Sequence, residues 1–399
     1  MGKPRVLVIA RTFPNSQFPT LGVYTQRLVD ASTAVAAPTV IAGVPYVPPG
    51  ISSGTLGRFR AVERERSENG YRVLHPRMLL GPGHLLHGFD ARFAYPAIRR
   101  AANALARNAG WNLIHAHFIY PDGVIAARLG RELGLPVVVS EHSVWQQWFD
   151  RHPRVRRQVE AAFPSISRLT AVSEALRTDM QAIVKDRLPV DLLPNVVDDD
   201  TFTATSSSEP DPNRLLFVGT IRRVKGLDVL IHAIAALAKT RPNLRLAVVG
   251  GAFYRAYARD ERDVHALVSS LGLDNRVEFL GERSPAEVAG EMRRSAMLVV
   301  PSRRETFSLV TAEALASGIP VVATRCGGPE EFVTPEVGRL VAVDDAAALA
   351  AGIEFVLEKR DQFSPATLRN WAVSQFGRAI AAKRIGELYA NVLASPRNH

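Results

Sequence analysis

A chain of 399 residues is longer than one ordinary hydrophobic core serves, so two domains are expected. With 47% hydrophobic and 22% charged residues, the composition excludes a disordered chain. The longest apolar runs fall well short of the roughly 18–20 residues needed to cross a bilayer.

The formal charge is +10, of which +7 lies in residues 1–200. Such an excess invites a nucleic-acid or anionic-membrane partner, but the charge is dispersed and no aromatic-plus-basic recognition motif accompanies it. The one cysteine, Cys326, excludes an internal disulfide and a multi-cysteine zinc site and reads as a small packed residue at a strand end. The start, MGKPRVLVIARTF, has too short an apolar stretch and an ill-placed arginine for a signal peptide, so a cytoplasmic protein is expected.

PRVLVIA is an apolar run of strand length, and Thr20 to Ala34 follows with helical spacing, the opening of a doubly wound α/β sheet. Further strands are expected at 38–43, 71–74, 113–116, 137–140, 169–172 and 190–193. Helices are expected at 92–108, 123–133, 155–162 and 174–185. Residues 45–60, rich in Pro, Gly and Ser, read as a loop, and 81–88 as another.

The stretch PNVVDDDTFTATSSSEPDPN, 194–213, is dense in turn formers and acids and marks a domain boundary. The alternation then restarts, with strands at 215–218, 244–250, 277–280 and 297–300 and helices at 226–239, 260–271 and 285–295. The tail, 365–393, is helical by pattern. Domains of 1–195, with residues 376–399 returning to it, and 196–375 are expected. Ligands of such sheets bind at the carboxyl ends of the strands, so a shared site is expected in the cleft between two Rossmann-like domains.

The most informative stretch is PSRRETFSLVTAEALASGIPVVATRCGGPEE, residues 301–331: strand end, polar turn, short helix, second strand and Gly-Gly turn. Glu305 and Glu313 are eight positions apart, a helical span of about 12 Å, suited to gripping both ends of one extended small molecule. Either Thr306 or Ser308 is expected to cap the helix, leaving the N–H groups of Phe307, Ser308, Leu309 and Val310 for an anion. Carboxylates for hydroxyls beside N–H groups for phosphate suggest a sugar nucleotide.

GTIRRVKG, 219–226, also sits between a strand and a helix, where Lys225 would offer a compact charge to a diphosphate. His117 and its Pro-Asp-Gly turn close the strand NLIHAH, and Asp122 binds acceptor or simply makes the turn. His115 is assigned to packing. Glu141 and His142 end the next strand at the same sheet edge. The basic positions 92, 99, 100 and 107, interleaved with Phe89, Phe93, Tyr95 and Ile98, form either a solvated helix face or a surface for anionic lipid.

Glu-seven residues-Glu, followed by ALASGIPVVAT and Gly-Gly-x-x-Glu, closely resembles the donor motif of retaining GT-B glycosyltransferases of family 4. The resemblance runs along essentially the whole chain and is sharpest at 214–340. It implies two Rossmann-like domains facing each other across a cleft. It further implies transfer of a sugar from a nucleotide-diphospho-sugar, UDP- or GDP-linked, with retention of configuration, in polysaccharide, lipopolysaccharide or glycolipid synthesis.

In that reading Glu305 holds sugar hydroxyls, Glu313 the ribose and His117 assists near the reaction centre. Gly22, Lys225 and Gly250 lie along the donor, Phe279 and Leu280 at its base, and Gly327 and Gly328 let the backbone pass close to it. Asp122, Glu141 and His142 belong to the acceptor side, the acceptor being lipid-linked or an oligosaccharide. The resemblance also implies that the last helix packs on the first domain and that the protein can sit peripherally at the inner face of the plasma membrane. The family usually reads Gly-Arg-x4-Lys-Gly; here Thr220 stands in place of the arginine, and Arg222 or Arg223 either supplies the charge or belongs to a solvated turn. No Asp-x-Asp follows a strand end, so neither metal nor cofactor is expected. A sugar-nucleotide epimerase on the same scaffold and a basic nucleic-acid-binding protein are the competing readings.

Overall fold

The computed structural model describes residues 2–50, 54–79, 88–204, 209–251 and 258–395. The chain divides into two compact units, Met1–Val196 with Ala379–His399, and Val197–Arg378.

Unit 1 carries β1 Arg5–Ile9, β2 Ala37–Ile41, β3 Val44–Pro45, β4 Glu65–Glu68, β5 Tyr71–Leu74, β6 Arg77–Met78, β7 Leu113–His117, β8 Val137–Glu141, β9 Arg168–Ala171 and β10 Val190–Leu192. Eight of these form one sheet in the order β10-β9-β8-β7-β1-β2-β5-β4, parallel except for β4 against β5. The central strands β7 and β8 are buried at every position, as parallel strands covered on both faces must be. The strand order reverses at β1, which lies between β2 and β7.

Helix Arg378–Ala394 completes this unit. Its Ala381, Ile385, Leu388, Tyr389 and Val392 join the core of Val6, Val8, Leu28 and Leu113. It is separate from helix Pro365–Phe376, because the chain turns extended at Gly377, where an added Cβ would meet the Val373 carbonyl at 2.6 Å.

Unit 2 carries β11 Asp211–Val218, β12 Arg245–Val249, β13 Val277–Gly281, β14 Ser295–Val300, β15 Val321–Thr324 and β16 Gly338–Val341. The order is β13-β12-β11-β14-β15-β16, all parallel, which is the dinucleotide-fold order with its switch point between β11 and β14. Local signals place the connecting helices. Ser284 and Glu287 form a reciprocal capping box at the start of Pro285–Arg294, and Asp345 caps Ala346–Glu358.

The structure departs from the sequence reading in several places. Within 45–60, read as a loop, Gly54–Ala61 is a helix, held by Phe59 against Phe18 with ring centroids 4.4 Å apart. The loop read at 81–88 lies outside the described residues apart from Gly88. Strands β4 and β16 and helix Ala346–Glu358 have no counterpart among the expected elements. ERSE and GRLV are too short and too polar to show apolar periodicity, and pair only because a neighbouring strand offers a ladder.

Candidate functional site

In unit 2 the loops leaving β11, β12 and β14 converge at the switch point, and two glycines let them touch. Gly250 has φ 122° and an added Cβ would lie 2.0 Å from the Gly219 carbonyl; Gly226 has φ 67° and its Cβ would lie 1.9 Å from the Pro301 carbonyl. Only glycine permits either approach.

This packing brings Lys225 to Glu305, 80 positions away. Lys225 Nζ donates to Glu305 Oε1 at 2.7 Å, and Ser302 Oγ donates to the same oxygen at 2.7 Å. Arg303 clamps the two loops together. Its guanidinium donates to Asp228 Oδ1 at 2.9 Å and Oδ2 at 2.7 Å, to Asp344 Oδ1 at 2.6 Å, and to the Arg223 carbonyl. Burial pushes the Asp228 carboxyl up, but hydrogen bonds and charge from Arg303 outweigh it, and its pKa is lowered.

Glu305 is fixed through its backbone as well. Its N–H donates to the Cys326 carbonyl at 2.8 Å and its carbonyl accepts from Gly328 N at 3.0 Å. An added Cβ at Gly327 would lie 2.5 Å from the Glu305 carbonyl, and one at Gly328 would lie 2.4 Å from Phe307 Cα. These two glycines therefore serve a close approach to residues 305–307 of their own unit. Cys326 is packed as expected, its thiol pushed up to about 12 by burial.

Helix Leu309–Ala316 starts at Ser308, whose hydroxyl does not cap it. Ser308 is left-handed at φ 69°, makes no side-chain cap bond and instead pairs its Oγ with Thr311 Oγ1 at 2.8 Å. A non-glycine residue there costs about 1–2 kcal/mol, and first-turn N–H groups have no intrahelical acceptor. Phe307 anchors the turn against Phe332 and Phe376, with centroids 5.3 and 5.0 Å away. Thr306, Leu309 and Val310 are half-buried around it, and Glu313 is 8% exposed inside the helix.

Unit 1 gathers its own candidates at the carboxyl ends of β1, β7 and β8. His117 Nδ1 and His142 Nε2 are 3.1 Å apart, and His115 stacks on His117 with centroids 4.8 Å apart. His115 is a packing residue, bonded to Tyr389 Oη and Ser140 Oγ, both at 2.8 Å. Burial keeps all three rings neutral: His115 is pushed down to about 3, His142 to about 4, and His117 well below the ordinary value.

Asp122 is buried at the switch point. Its Oδ2 accepts from Arg11 N at 2.8 Å, with the Arg11 guanidinium 3.3 Å from Oδ1. Burial raises it to about 6 despite the charge of Arg11. Both oxygens of the fully buried Glu141 are engaged: one accepts from Ile119 N and Trp145 Nε1, the other from His142 N, Ser143 N and Ser143 Oγ. Glu141 thus builds the loops around His117 and His142, where the sequence had put it on the acceptor wall. Gly22, at φ 71°, packs on the Thr12 carbonyl, 2.1 Å from an added Cβ, so its lack of a side chain serves that contact.

The other expected residues make contacts of their own. The side chains of Arg222 and Arg223 are exposed, and Arg223 N donates to Asp260. Phe279 packs its ring on His265 at 3.9 Å, and Leu280 is half-buried on the edge strand β13. On helix Asp90–Ala109, Arg92, Arg99 and Arg100 are exposed. Tyr95 and Ile98 are core residues, as the reading of a solvated helix face with a buried side has them.

Residues 198–370 match the family model described as glycosyl transferases group 1, and residues 55–201 that of glycosyltransferase family 4. The chain belongs to the GT-B glycosyltransferases of group 1.

Among relatives of this family, D-inositol 3-phosphate glycosyltransferase of Arthrobacter is 34% identical over 239 residues, 55% of each chain. The chain spans 34% to 63% of the length of the curated relatives it matches. Among solved structures, sucrose-phosphate synthase of Thermosynechococcus elongatus superposes with a TM-score of 0.76 at 21% identity, over 99% of this chain and 100% of that one. HepE of Anabaena, solved in complex with UDP, gives 0.73 at 18% identity, over 97% and 100%. At such identities the likeness is one of fold.

Two residues of this family member escaped the sequence reading: Ser302 and Arg303. Both lie inside the motif, where Arg303 looks like any surface arginine until Asp228 is brought beside it.

Proposed function

We propose that the chain transfers a sugar from a nucleotide-diphospho-sugar to an acceptor hydroxyl with retention of configuration. The Lys225–Glu305 pair beside the uncapped start of Leu309–Ala316 carries the reading. The ammonium and the helix N-H groups suit a diphosphate, and stabilise it as it departs. Once Lys225 turns to phosphate, Glu305 Oε1 is released for a sugar hydroxyl. Glu313 suits the ribose.

HepE bound to UDP supports a nucleotide donor. The leaving phosphate itself takes the acceptor proton in this reading, so no dedicated base is needed, and Lys225 stands where a metal would otherwise balance charge. The acceptor is lipid-linked or an oligosaccharide. Among the described residues no helix is long and apolar enough to cross a membrane, and the exposed arginines of Asp90–Ala109 suit contact with an anionic lipid surface.

Calorimetry with UDP, GDP, ADP and dTDP, followed by product formation in EDTA, tests this. Glu305→Gln should keep nucleotide affinity and lose transfer by about 10²-fold or more. Failure of every nucleotide to bind, or transfer by Glu305→Gln at the wild-type rate, refutes it. Conversion of the donor sugar without any acceptor would favour an epimerase.

A further inference from the structure

Apart from the residues already placed, unit 1 has an open cavity of about 350 Å³ lined by Gly88, Phe89, Arg154, Arg157, Gln158 and Ala161. Phe89 begins helix Asp90–Ala109, and the arginines lie in the first half of helix Pro153–Ala162. These helices lead into the starts of β7 and β9, so their N-terminal ends stand at the carboxyl edge of the sheet, the edge that carries Asp122 and His142.

The cavity is shaped by a close approach. Gly88 has φ 101° and lies against helix Pro153–Ala162, where an added Cβ would be 3.4 Å from Arg154 Cβ and 3.6 Å from Val155 Cγ2. Gln158 Nε2 donates to the Gly88 carbonyl at 2.6 Å. This contact holds the half-buried Phe89 ring at the cavity, backed by Phe93 with centroids 6.3 Å apart.

The charge comes from the helix. Arg154 and Arg157 are three positions apart and share one helix face. Both are exposed and neither has an ion pair among the described residues, whereas Arg156, which does not line the cavity, is paired with Glu160 at 3.1 Å. None of the lining residues is acidic. Guanidinium forks suit phosphate oxygens, and an aromatic ring beside them offers an apolar body a surface away from water.

We propose that this cavity binds a phosphate ester carried on an apolar chain. A row of rings joins it to the acceptor side: Tyr120, in the turn of Asp122, lies 5.7 Å from Trp148, and Trp148 lies 5.1 Å from His152, which precedes the helix of the two arginines. That the ester is the sugar acceptor, held by its phosphate, rests on the transferase reading; the cavity's choice of ligand does not.

Farnesyl phosphate, kept below the concentration at which it aggregates, is the probe, titrated calorimetrically into the full-length protein beside farnesol and inorganic phosphate. It should bind at least about tenfold tighter than either, because each of them offers half of the contact. The double variant Arg154→Gln/Arg157→Gln, with helix formers at exposed positions, should melt as the wild type does and bind farnesyl phosphate about tenfold or more weakly. Arg156→Gln should leave that affinity unchanged. Farnesol or inorganic phosphate binding as tightly as the ester, an unchanged affinity in the double variant, or an equal loss in Arg156→Gln overturns the proposal. So does sedimentation with phosphatidylglycerol vesicles that the double variant loses and soluble farnesyl phosphate does not compete, which would assign the arginines to a membrane surface. UDP titrated into the same samples keeps the two readings apart: farnesyl phosphate bound by a protein that takes no nucleotide removes the acceptor role and leaves the cavity's ligand in place.

Discussion

Gly226→Ala tests whether the switch-point packing, rather than the motif residues one by one, makes the proposed donor site. The new Cβ would stand 1.9 Å from the Pro301 carbonyl oxygen, and ordinary contact begins near 3.4 Å, so the two loops must part by about 1.5 Å. The left-handed backbone at φ 67° adds about 1–2 kcal/mol for any residue with a Cβ, and forced separation of packed groups typically adds 1–3. A total near 3 kcal/mol corresponds to roughly 6–12 °C in the melting of a unit of this size.

The same displacement moves Lys225, next in the chain, out of the place from which it would reach a phosphate, so nucleotide affinity should fall by at least about tenfold. Differential scanning calorimetry and titration with UDP measure the two effects on one sample. A variant that melts within about 1 °C of wild type and binds UDP unchanged would show that the close approach at Pro301 has no part in the site.

Acid should weaken unit 1. The folded pKa values of His115 (about 3) and His142 (about 4) lie below the unfolded value near 6.5, so the unfolded chain takes protons first as the pH falls, and stability is lost from 6.5 downward. Urea unfolding at pH 6.5 and 5 should differ by about 2 kcal/mol for each ring. Asp122 opposes this: raised to about 6, it protonates in the folded state first and gives back about 1.4 kcal/mol by pH 5, so Asp122→Asn should steepen the acid loss by that amount. A flat profile between pH 6.5 and 5 would refute the burial assigned to these groups. Arg303→Met removes the forked pair with Asp228 and the bond to Asp344; because these groups are partly exposed, the cost is about 1–2 kcal/mol, read as a melting shift of roughly 2–8 °C with weaker UDP binding. An unchanged UDP affinity would make Arg303 a surface staple only.

Much of the fold was legible locally. Buried parallel strands such as LIHAH, VVVSE and SAMLVV are continuous apolar runs, and Ser284–Glu287 marks a helix start by hydrogen bonds reaching three residues. What local pattern missed are β4, β16 and Gly54–Ala61, whose stability comes from a neighbouring strand or from Phe18 across the chain.

The candidate site divides the same way. The sequence alone determined which residues are chemically suited to a sugar nucleotide: two glutamates at helical spacing, a lysine in a glycine-bounded turn, histidines at strand ends. Only the tertiary structure decided their partners, because a hydrogen bond across 80 positions, as between Lys225 and Glu305, is set by strand order and by how closely two glycines let the loops approach. It also turned Glu141 from a candidate ligand into an internal brace, left Ser308 as a helix start that its own side chain does not cap, and brought His117 and His142, 25 positions apart, within hydrogen-bonding distance.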